Sequence, residues 1–97
     1  MIYEQITTEG KLITISVGYE PNLQEMQKAV GGYYAEATCV IPDGKLFVNE
    51  EGLLLGLPTN EIVTSYLVNG YIVGDVLVAS PKGILAHFDY ILGVEEE

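Results

Sequence analysis

Short runs of β-branched and aromatic residues, punctuated by glycine or proline, dominate the chain, and one stretch shows a clear helical period. Ile2 to Thr7 and Leu12 to Val17 are two such runs with Glu9-Gly10 between them, which predicts a β-hairpin. Gly18-Tyr19-Glu20-Pro21-Asn22 then breaks the strand pattern. Leu23, Met26, Ala29 and Val30 share one helical face, so a helix is predicted over about residues 22–31. Asn22 is placed to cap it, Glu25 three residues on completes a capping box, and Gly31-Gly32 supplies a left-handed stop.

Tyr33 to Ile41 reads as a strand, and Pro42-Asp43-Gly44-Lys45 forms a tight turn into a second strand, Leu46 to Val48. The segment Val48 to Asn60 follows, where polar turn residues adjoin a dense apolar run. Asn49-Glu50-Glu51-Gly52 reads as a turn and Leu53 to Leu57 as a short apolar run whose pairing Pro58 limits. Thr59 or Asn60 is placed to cap a short helix over about 60–68, stopped by Asn69-Gly70. Ile62, Val63, Thr64, Tyr66 and Val68 suit a strand equally, so both readings stay open. Tyr71 to Ala79 reads as a buried strand interrupted at Gly74-Asp75, and Ile84 to Leu92 as a last strand beyond the turn Pro81-Lys82-Gly83. Strands outnumber helices and hairpin turns join them, which predicts an α+β fold: a mainly antiparallel sheet with one helix packed on one face. The expected core includes Leu23, Met26, Val30, Val40, Leu46, Leu55, Val76 and Val78. Uncovered edge strands would suit a second copy, so a homo-oligomer is an expectation.

Composition adds limits to this pattern. A chain of 97 residues, 48% of them hydrophobic, suits one globular domain over 1–97 with a frayed acidic tail at 95–97. No apolar run approaches the roughly 18 residues that span a bilayer, and the N-terminus has no signal-peptide pattern; a cytoplasmic protein is expected. Cys39 is the one cysteine and His87 the one histidine, so neither an internal disulfide nor a thiolate or imidazole zinc cage can form. Fourteen acids stand against four lysines, with no arginine. Nucleic-acid phosphates would be repelled, which disfavours direct DNA or RNA binding, while a basic partner would be steered inward.

Candidate chemistry is sparse. Cys39 lies in the apolar run Ala37 to Ile41, where a core thiol is the ordinary reading, and His87 lies in a second apolar stretch. Glu50 and Glu51 are adjacent, the wrong spacing for two carboxylates to face each other across a substrate. Asn49, Glu50, Glu51, Asn60 and Asp75 lack the alternation of a calcium loop, and Gly52 to Pro58 lacks the Lys-Ser or Lys-Thr of a P-loop. No metal, no cofactor and no catalytic set is expected. The segment is an elaborate turn or a binding loop, and as a loop its candidate ligand-binding residues are Asn49, Glu50, Glu51, Gly52 and Asn60.

Three stretches carry a family resemblance: Val30-Gly31-Gly32-Tyr33-Tyr34-Ala35-Glu36, then Val48-Asn49-Glu50-Glu51-Gly52 through Leu57-Pro58-Thr59-Asn60, then Ile72-Val73-Gly74-Asp75-Val76. Across about residues 12–80 the chain resembles the domain-of-unknown-function family numbered 3846. That resemblance implies a bacteriophage, plasmid or other mobile-element setting and no particular activity. Members of that family often carry a basic residue directly after the second asparagine, whereas this chain departs from the pattern with Glu61, so a cation's role at that position does not carry over from the resemblance. The expected function is a non-enzymatic binding protein that interferes with a host defence factor by binding a protein or sequestering a small signalling molecule. The alternatives are an acidic DNA mimic occupying a nuclease or repressor, and a structural or regulatory accessory protein with no ligand.

Overall fold

The computed structural model describes residues 1–37, 43–64 and 70–84. Five strands form one sheet: β1 (Ile2–Ile6), β2 (Leu12–Val17), β3 (Tyr34–Ala37), β4 (Lys45–Asn49) and β5 (Val76–Ser80), with helices α1 (Leu23–Val30) and α2 (Glu61–Thr64). The strand order is β2-β1-β5-β4-β3 and every pairing is antiparallel. β1 with β2 and β3 with β4 are the two expected hairpins. β5, the last of the described strands, lies between them, pairing Ile6 with Val76 on one side and Leu46 with Val78 on the other.

That central place explains the composition of β5. All five residues of Val-Leu-Val-Ala-Ser are buried, because both faces of the middle strand are covered. Alternation sends Val76 and Val78 to one face, where they pack with Ile6, Leu46, Val63 of α2 and Ile84. Leu77 and Ala79 go to the other face, with Phe47 and with Met26, Ala29 and Val30 of α1. Tyr34 and Phe47 meet edge to face there, with ring centroids 5.6 Å apart.

α1 forms as its caps dictate. The Asn22 side chain accepts from the Glu25 N–H at 2.8 Å, the Asn22 N–H donates to Glu25 Oε1 at 3.1 Å, and Gly31 closes the helix at φ 79°. Leu23, expected in the core, is instead 58% exposed. It is the first helical residue, and α1 meets the sheet through Met26, Ala29 and Val30 rather than through its opening turn. Leu55 is likewise outside the core at 59% exposure, for reasons that lie in its loop. Val40 lies outside the described residues.

Residues 61–64 of the ambiguous 60–68 stretch are helical, and 65–69 lie outside the described residues. The expected strand from Tyr71 is shorter than its composition suggests. β5 starts at Val76, and Val73 makes only an isolated bridge to Thr59. Ile84 is buried, while the rest of the expected last strand, His87 and the tail at 95–97 lie outside the described residues, as does Cys39.

The edges carry their own protection. Between Tyr3 and Glu4 the β1–β2 register slips by one residue, leaving Ile15 as a bulge in edge strand β2. The opposite edge, β3, exposes the charged Glu36. Both features discourage edge-to-edge pairing.

Leu46 is fully buried in the cluster with Ile6, Val63, Val76, Val78 and Ile84, so Leu46→Ala should cost about 2–5 kcal/mol of unfolding free energy. Leu23→Ala should stay within about 0.5 kcal/mol. Urea denaturation of both variants checks the assignment of core and surface.

Candidate functional site

The segment from Asn49 to Asn60 begins at the end of β4, on the face that carries α1, and ends at the cap of α2, on the opposite face. Its two terminal asparagines are buried, and their polar atoms are committed to the backbone. Asn49, 7% exposed, donates from Nδ2 to the Val30 carbonyl at 3.0 Å and accepts the Glu51 N–H on Oδ1 at 2.8 Å. It therefore ties the C-terminus of α1, whose last carbonyls have no helical partner, to the turn that follows β4. Asn60 is fully buried. Its Nδ2 donates to the Ile6 carbonyl at 2.9 Å and the Gly74 carbonyl at 3.0 Å, and its Oδ1 accepts the Val63 N–H at 3.3 Å.

Between these anchors the chain turns tightly on itself. Glu50 N–H donates to the Tyr33 carbonyl, Gly52 N–H to Asn49, Leu55 N–H to Glu51, Gly56 N–H to Leu53 and Leu57 N–H to Gly52. Residues 58–60 then run beside 72–74, with Asn60 N–H donating to Ile72 and Gly74 N–H to Pro58, each at 2.7 Å. Pro58 lacks an N–H but serves here as an acceptor, so it ends the apolar run without breaking this short pairing.

Two glycines allow the close approach. A Cβ on Gly52 would stand 2.8 Å from Val73 Cγ2, and one on Gly74, at φ +81°, would stand 2.8 Å from Leu57 Cδ1. The Gly52 position is thus a packing contact, an assignment that the sequence pattern by itself did not suggest.

With the backbone wound this way, the apolar run faces outward. Leu53, Leu54 and Leu55 are 71%, 87% and 59% exposed, and Leu57 alone of the run's leucines folds inward, against Gly74. Glu50 and Glu51 are exposed beside them. A groove of about 360 Å³ lies under this apex, lined by Glu50, Leu53, Leu54, Tyr71, Ile72 and Val73 together with residues at the end of β4. Tyr71 and the exposed leucines were not among the residues singled out as binding candidates. The signal that could have found them is three consecutive leucines between two glycines, too short a run for either periodicity to bury.

The structure therefore brings Glu50, Gly52 and Asn49 to one groove and sends Asn60 elsewhere, to a polar depression lined by Thr7, Thr8, Glu9, Gly10 and Glu61. Among the described residues, no group of three or more His, Cys, Asp or Glu side chains could hold a metal ion, and no helix is long and apolar enough to cross a membrane. Tyr3, on the α1 face, has its hydroxyl pushed above the usual tyrosine range, first by burial and then by the charge of Glu20.

What these features define is a small α+β domain that presents a braced apolar turn above a groove. The chain belongs to the family described as a domain of unknown function, DUF3846, whose family model matches residues 4–86. No curated protein and no solved structure matches it.

Asn60→Ala removes three hydrogen bonds and leaves buried backbone groups unpaired, so it should cost about 2–4 kcal/mol; Asn49→Ala should cost about 1–3 kcal/mol. Gly52→Ala should destabilise as well, since Val73 must shift to admit the methyl group. Glu50→Gln and Glu51→Gln, both at exposed positions, should leave the thermal transition where it is. Differential scanning calorimetry of the set distinguishes residues that hold the segment from those it presents.

Proposed function

We propose that this protein is a non-enzymatic binding protein that acts through protein–protein contact at the Leu53–Leu55 apex. In this reading it serves a phage or mobile element in the cytoplasm of a bacterial host, by occupying a host factor such as a component of defence. The observation that carries the reading is the combination of exposure and bracing. Each of these leucines forgoes roughly 1.5–3 kcal/mol of burial on folding, yet the turn that displays them is held by a ladder of backbone hydrogen bonds. A partner that covers the apex recovers that energy without having to order the loop first. Capture of a small molecule through Asn49 and Asn60 has less support, because both side chains already satisfy backbone groups. A DNA mimic needs dense rows of acids, whereas Glu50 and Glu51 form only a short pair beside an apolar surface.

Leu53→Ser combined with Leu54→Ser should leave the thermal transition unchanged or slightly higher and abolish retention of a host protein in affinity capture from bacterial lysate. Retention undiminished in the double variant would place the contact elsewhere on the surface.

A further inference from the structure

The groove beneath the apex has a chemistry of its own. Its walls are apolar, formed by Leu53, Leu54, Ile72 and Val73, with the Tyr71 ring, 59% exposed, beside them. Among the described residues Glu50 is the one charged residue that lines it, and its carboxylate has no hydrogen bond or ion pair with any of them. None of the four lysines lines it. An apolar trough that carries one exposed carboxylate is complementary to a long side chain with an aliphatic stem and a cationic head.

We propose that this groove receives an arginine or lysine side chain of the partner protein, so that the partner presents a basic residue next to the apolar surface that meets the leucine apex. This rests on the apex being the contact surface and adds the class of partner it selects. The stem would lie against Leu53 and Val73, and the head would pair with Glu50. Arginine fits better than lysine, because its planar guanidinium can both stack on Tyr71 and bond the carboxylate through two N–H groups. Charge over the whole molecule points the same way. A net charge of −10 attracts a basic partner and repels a second copy of this chain, which has no arginine to offer.

The test uses a fluorescein-labelled synthetic peptide that alternates leucine with arginine, and a matched peptide in which neutral citrulline replaces each arginine, with binding followed by fluorescence anisotropy. The full chain should bind the arginine peptide at least about tenfold more tightly than the citrulline peptide at low salt, and the preference should shrink as salt rises. Glu50→Gln should remove most of the preference, and Leu53→Ser with Leu54→Ser should remove binding of both peptides. Equal affinity for the two peptides, or an unchanged preference in Glu50→Gln, overturns the basic-residue assignment; the apex reading then stands or falls separately on the double leucine variant. Full binding of the arginine peptide by that double variant, or no binding of it by the unaltered chain, also overturns the proposal.

Discussion

The Asn60 side chain, fully buried, holds together three parts of the chain that are distant in sequence. It binds the end of β1 through Ile6, the entry to β5 through Gly74 and the first turn of α2 through Val63. β5 must slot between two hairpins that form from local contacts, and nothing in either hairpin dictates where a strand from far along the chain should align. By bonding both Ile6 and Gly74, Asn60 sets where β5 begins alongside β1, and the pairing of Ile6 with Val76 follows. Thr8 N–H donating to Asp75 Oδ1 at 2.9 Å reinforces the same alignment. A slip of one residue would exchange Val76 and Val78 for Leu77 and Ala79, and so swap the two core faces.

Asn49 does the corresponding work on the other face, joining β4 to the end of α1. The stretch between the two asparagines is then a strap fastened at both ends and pressed against residues 72–74 by close contacts at Gly52 and Gly74. With its backbone groups bonded within the strap and to its neighbours, Leu57 turns inward against Gly74 while Leu53, Leu54 and Leu55 face outward. Display of apolar surface is thus a result of how the strap is fastened.

The sequence was most readable where structure is local. The box between Asn22 and Glu25, the stop at Gly31 and the hairpin runs around Glu9-Gly10 are interactions between near neighbours, and each appears as its residues suggest. It was least readable where a residue's role depends on distant chain. Asn49 and Asn60 look like polar ligand groups in a line of letters, whereas their partners Val30, Ile6 and Gly74 come from other elements. Leu53 to Leu55 look like core by composition, yet a hydrophobic residue is buried only if some surface arrives to cover it.

Two things therefore divide cleanly. The amino-acid sequence by itself determined the α+β class, the capped helix, the two hairpins, the acidic balance and the family to which the chain belongs, because propensities, caps and charge act over a few residues or over the whole composition. Only the tertiary structure decided that β5 lies at the centre, that the asparagines are fasteners and that the leucines face water beside Glu50. Those outcomes depend on long-range pairing, in which each backbone group must find a partner and each side chain takes whichever side that pairing leaves it.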